Sequence, residues 1–143
     1  MLMNSVLRLF LAVVAGMLLA LVLVIAVEFF SAIVHPVPAG FQGTMDEMCQ
    51  HVARYPDWVL GVVVLAWSAT AFSSTWVATR IGHRLAGIVV TLLLTWAIVC
   101  NLTMLPYAMW FKIVMLSCFS MACYLGVRRG TRPASVVADS KAA

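Results

Sequence analysis

Charge is scarce in this sequence. Of 143 residues, nine are Lys or Arg and five are Asp or Glu, 10% in all against 64% hydrophobic. A soluble domain carries about 25% charged residues. The scarcity excludes an ordinary soluble fold, because a chain this short has too much surface per volume to hide so many apolar side chains from water. Catalytic signatures are missing as well. The four cysteines form no C-x-x-C pair and show no zinc-ligand spacing. No glycine-rich phosphate loop or nucleophile–base pattern occurs. No catalytic residue, cofactor or metal is therefore expected. The net charge of +4 does not gather on a basic face. It sits in short clusters beside apolar runs, which points to membrane orientation and away from nucleic acid.

The charge-poor stretches define four runs, at about 7–34, 58–77, 85–105 and 109–128. Each approaches the ~20 residues that cross a hydrocarbon core about 30 Å thick. In lipid every backbone polar group needs a partner within its own segment, so the runs are read as helices. The expected fold is all-α: an integral membrane bundle of four transmembrane helices over residues 1–129, with a short amphipathic helix in the first outer loop, 35–57. The Ala/Ser-rich residues 130–143 are read as a disordered cytoplasmic tail. The first run exceeds the roughly 7–15 residues of a signal-peptide core and lacks a small-x-small cleavage site, so it is expected to be retained.

Sidedness follows Lys and Arg. With the N-terminus inside, Arg8, Arg80, Arg84, Arg128, Arg129, Arg132 and Lys141 face inward, and only Arg54 and Lys112 face outward. The expected location is a bacterial inner (plasma) membrane, multi-pass, with both termini cytoplasmic. In the outer loop, His35-Pro36-Val37-Pro38-Ala39-Gly40 reads as a turn. Thr44-Met45-Asp46-Glu47 matches a capping box. Met45, Met48, Cys49, Val52 and Ala53 would then share one apolar face. Tyr55-Pro56 ends the short helix, and Asp57 is placed to cap the next span. The loop either lies flat at the interface on Tyr55 and Trp58 or forms a lid over a site.

Small residues recur at four-residue spacing in each run: Ala12, Gly16 and Ala20; Ala66, Thr70 and Ser74; Gly87, Thr91 and Thr95; Cys118, Ala122 and Gly126. Such stripes let helices approach closely in lipid. They predict a compact bundle, open to extension as a homo-oligomer or onto a membrane-protein partner, with the bilayer as the obligatory partner.

Ionisable groups at membrane depth are functional candidates by default. Glu28 lies about 10 Å from the outer turn, Lys112 about 9 Å and Asn101 about 7–8 Å, at 1.5 Å per residue. One reading is a structural Glu28–Lys112 ion pair bonded to Asn101, or Lys112 reaching the interface alone. The other is an outward pocket where Glu28 binds a cation or proton and His35, seven residues on, relays protons. A metal site from Glu28, His35 and His51 lacks tight ligand spacing. Cys49 and Cys100 could form a disulfide in an oxidising compartment, or remain free thiols.

Glu28, the His35–Gly40 turn, Tyr55-Pro56, Ala66-Trp67, Asn101 and Pro106-Tyr107-Ala108-Met109-Trp110 together resemble small four-helix inner-membrane proteins of bacteria, over about residues 9–128. The resemblance implies the four-helix fold and no particular activity. Small multidrug exporters also carry a Glu in the first of four helices, but mid-helix, whereas Glu28 is near the outer end. Disulfide-generating membrane oxidoreductases carry outer cysteine pairs that this chain lacks. The expected function is a structural or accessory bundle, the alternative a small proton- or cation-coupled transporter using Glu28.

Overall fold

A computed structural model describes residues 2–131 of the chain. Among them, all regular structure is helical: α1 Leu2–Val34, α2 Met45–Ala53, α3 Asp57–Ile81, α4 Arg84–Met104 and α5 Met109–Gly130. Four of the five, all but α2, are long and apolar enough to cross a membrane. The segment expected to be a tail from Gly130 starts inside α5, and residues 132–143 lie outside the described residues.

The helix ends follow local chemistry. The capping box forms: the Thr44 hydroxyl accepts from Glu47 N at 3.3 Å, and the Glu47 carboxylate accepts from Thr44 N at 3.1 Å. Gly40 adopts φ 84°, the left-handed turn conformation that glycine allows without strain. Asp57 does not cap α3. Pro56 occupies the cap position, and Asp57 is the first helical residue, where its charge favours the helix N-terminus. Its carboxylate accepts from the Trp110 indole at 3.3 Å, joining the starts of α3 and α5. At the opposite end, Arg8 donates to the Ile81 carbonyl at 2.8 Å and satisfies the C-terminus of α3.

α3 is the hub. It packs against α1, α4 and α5, whereas the α1 and α5 backbones keep more than 8 Å apart. Small residues make this possible. A Cβ on Gly16 would sit 3.0 Å from the Ser74 carbonyl oxygen and 3.0 Å from the Ala78 Cβ, so α1 and α3 approach backbone to backbone there. A Cβ on Gly126 would meet the Phe72 carbonyl oxygen at 2.6 Å and collide with the Thr75 hydroxyl. The stripe on α5 is Ala122, Gly126 and Gly130, all buried; Cys118 is exposed, since its side chain falls off the α3-facing arc. The glycines of the stripes are thus used in packing within the bundle, whereas Ala66, Thr91 and Thr95 are only partly covered. The hydroxyls of Thr70, Thr75, Thr79 and Thr91 bond back to their own helix carbonyls at 2.7–2.9 Å. Outside the core, Leu18, Val22, Phe29, Leu92 and Trp96 are exposed. A contiguous apolar exterior of this kind requires something apolar to cover it.

Candidate functional site

Glu28 and Ser31 are one turn apart on α1, which carries both to the α3 side near the end where α2 lies. There they meet Tyr55, from the link between α2 and α3, Asn101 of α4, and Tyr107, from the turn between α4 and α5. These five polar side chains line one cleft of about 40 Å³. Its apolar floor includes Leu60, Ile98, Phe111 and Met115, which are 4%, 1%, 1% and 1% exposed. Trp67 lines it as well. A water needs about 10–15 Å³ of such space and two to four polar partners. The cleft therefore admits a few waters or one small ion. Glu28 stays open along the flank of α1, so its carboxylate stands at the rim.

The two phenols keep their protons across the physiological range. Burial and the nearby Glu28 carboxylate raise Tyr55, with the Ser31 hydroxyl offsetting part of the effect. Burial, Glu28 and Tyr55 push Tyr107 up to about 12. An anionic phenolate would be doubly disfavoured here, desolvated and beside a carboxylate. Both rings are therefore neutral hydroxyls at a cleft whose single formal charge is that of Glu28.

Lys112 does not join. The Glu28–Lys112 ion pair inferred from depth alone is absent: α5 reaches the cleft with Phe111 and Met115 and not with Lys112. Phe111 points into the cleft, and Lys112, one position on, is turned out of it. Among the described residues no ion pair forms within 4.0 Å. The cleft thus contains a carboxylate with no resident cationic side chain.

His35 lies one layer further out. Its ring stacks on His51 with centroids 4.4 Å apart and packs on Tyr55 at 4.6 Å. His51 also meets Tyr55 edge-on at 5.4 Å. Burial, followed by repulsion from His35 and Arg54, lowers the His51 pKa. This aromatic stack holds α2, whose apolar face is only partly used. Val52 and His51 are buried, while Met45 and Ala53 are exposed. Periodicity missed His51 because its burial comes from ring stacking. Among the described residues no three His, Cys, Asp or Glu side chains converge as metal ligands.

Cys49 and Cys100 are free. No α2 Cα comes within 8 Å of an α4 Cα, and a disulfide needs its two Cα atoms within about 7 Å.

Depth in the sequence brings Glu28 and Asn101 together, but it marks Tyr55 only as an interfacial anchor and gives no sign of Ser31 or Tyr107 at the cleft. The available signal was positional. Tyr55 precedes Pro56 and Tyr107 follows Pro106, which sets a phenol at the same end of two different helices. Comparison with protein-family models, curated proteins and solved structures finds no match, so the likeness to small four-helix membrane proteins rests on its short motifs.

Proposed function

We propose that the chain is an integral membrane protein of four spans, with both termini cytoplasmic, whose outer-leaflet cleft takes up a proton or small monovalent cation at Glu28. The observation that carries this reading is the convergence of Glu28, Ser31, Tyr55, Asn101 and Tyr107 on one small cleft without a basic side chain. A carboxylate at membrane depth is costly unless it is neutralised. The absence of Lys112 leaves a mobile cation or a proton to do so. The hydroxyl and amide oxygens of Ser31, Asn101, Tyr55 and Tyr107 are hard donors, the chemistry that suits a small cation. Charge distribution supports the sidedness: Arg8, Arg80, Arg84, Arg128 and Arg129 gather at one end, and Glu28, Asp46, Glu47 and Asp57 lie towards the other. Residence in a bacterial inner membrane is part of the same proposal.

The accessory-bundle reading rests on an ion pair and on small-residue stripes. The pair does not form, whereas the close approach of Gly16, Gly87 and Gly126 to α3 is what a compact bundle requires. Association with a membrane-protein partner is a second reading favoured by the exposed apolar flank of α1.

The test is flux and binding in liposomes of purified protein. Wild type should move protons or a monovalent cation down a gradient, and Glu28→Gln should abolish the movement with an unchanged unfolding midpoint. Equal flux from both, or no flux from wild type under either gradient, refutes the proposal.

A further inference from the structure

At the arginine-rich end, α4 and α5 run side by side. Both dock on α3 through glycines, Gly87 against Thr79 and Gly126 against Thr75, with Val127 of α5 also close to Gly87, and a groove is left along their outer flanks. The result is an open groove of about 280 Å³ between them, with Arg84 at its mouth and Thr91, Ser120 and Tyr124 along its walls. Cys123, 1% exposed, forms its floor. From Arg84 to Thr95 the groove runs along α4 for eleven residues, about 16 Å at 1.5 Å per residue. That is close to half of a ~30 Å hydrocarbon core, the depth of one leaflet.

From this groove we propose a binding site for an anionic phospholipid of the inner leaflet. An acyl chain fills the trough between α4 and α5, and the headgroup phosphate pairs with the Arg84 guanidinium. Charge complementarity selects this occupant. Among the described residues, five arginines stand at this end, all four carboxylates lie towards the other, and no arginine is ion-paired. Arg84 is also the first residue of α4, so the helix dipole adds to its attraction for a phosphate. Guanidinium forks suit phosphate oxygens. A second copy of the chain would bring a like-charged end to the same place.

The inference shares the membrane placement of the proposed function and is independent of Glu28, so either can fail alone. The test is thermal unfolding of the detergent-solubilised protein titrated with phosphatidylglycerol or phosphatidylcholine of matched chain length. Phosphatidylglycerol should raise the midpoint saturably and phosphatidylcholine should not. Arg84→Gln should weaken apparent phosphatidylglycerol affinity about fivefold, the factor one basic side chain is worth near an anionic headgroup. Ser120→Phe, which fills the groove from an exposed position, should remove the preference. Arg129→Gln deletes the same charge outside the groove and should leave the affinity unchanged. Equal responses to the two lipids, equal loss in Arg84→Gln and Arg129→Gln, or an undiminished preference in Ser120→Phe would each overturn the proposal.

Discussion

Gly126→Ala adds one methyl group to α5, and the structure indicates how large the consequence should be. The new Cβ would lie 2.6 Å from the Phe72 carbonyl oxygen and 3.2 Å from the Trp76 amide nitrogen, besides colliding with the Thr75 hydroxyl. The first two are backbone atoms of α3 and cannot rotate away. Thr75 is held by hydrogen bonds to Ala71 and Phe72 carbonyls at 2.7 and 3.1 Å. Relief to ordinary contact at 3.4 Å with the Phe72 oxygen alone requires α5 to withdraw by about 0.8 Å, and the nearer Thr75 hydroxyl requires more. That movement would loosen Phe119, Met115 and Phe111 along the same face. Overpacking of this kind costs about 1–3 kcal/mol, and the absence of a soft neighbour places Gly126→Ala near the upper end. Gly61→Ala is the control. It is also helical, on α3, but nothing lies within 4 Å of its added Cβ. It should stabilise by up to about 1 kcal/mol, the difference in helix propensity. Reversible unfolding of the detergent-solubilised protein, followed by tryptophan fluorescence, should therefore separate the two variants by about 3 kcal/mol. If Gly126→Ala is as stable as Gly61→Ala, the helix packing described here is wrong.

The missing ion pair makes a double-mutant cycle informative: Glu28→Gln and Lys112→Met should add to within about 0.5 kcal/mol in unfolding experiments, and a larger coupling would place the two side chains in contact. Cys49 and Cys100 should both react with a thiol reagent, with identical gel mobility with and without reductant; a reductant-dependent shift would contradict their separation. His51 has a pKa lowered on folding, so the unfolded chain binds the extra proton first, and stability contributed by the His35–His51–Tyr55 stack is full above the ordinary histidine value and falls as pH drops below it. The hydrogen-exchange protection of α2, taken relative to the intrinsic exchange rate at each pH, should therefore fall between pH 7 and about 5, and His51→Phe should remove that dependence.

The site was only half legible in the chain. Glu28 and Asn101 stood out because a charged or amide side chain in an apolar run is expensive wherever the run ends up. Depth along a helix could then be counted from the prolines that terminate each run. Azimuth could not. Lys112 shares the depth of Glu28, yet it faces elsewhere, on a helix that turns Phe111 and Met115 to the cleft instead. Tyr107 looked like a turn residue until four helices brought it beside Glu28. His51 looked polar until stacking buried it.

The sequence alone determined that the chain is helical, that four helices are long and apolar enough for a membrane, and where α2 begins. These are properties of single segments: burial of backbone polar groups, hydrophobic length, and a Thr–Glu cap read only nearby residues. The tertiary structure decided which helices are neighbours, and hence that Glu28 meets two phenols and an amide and no lysine. That choice depends on whether a glycine on one helix finds a carbonyl ridge on another, a complementarity between surfaces that no single segment contains.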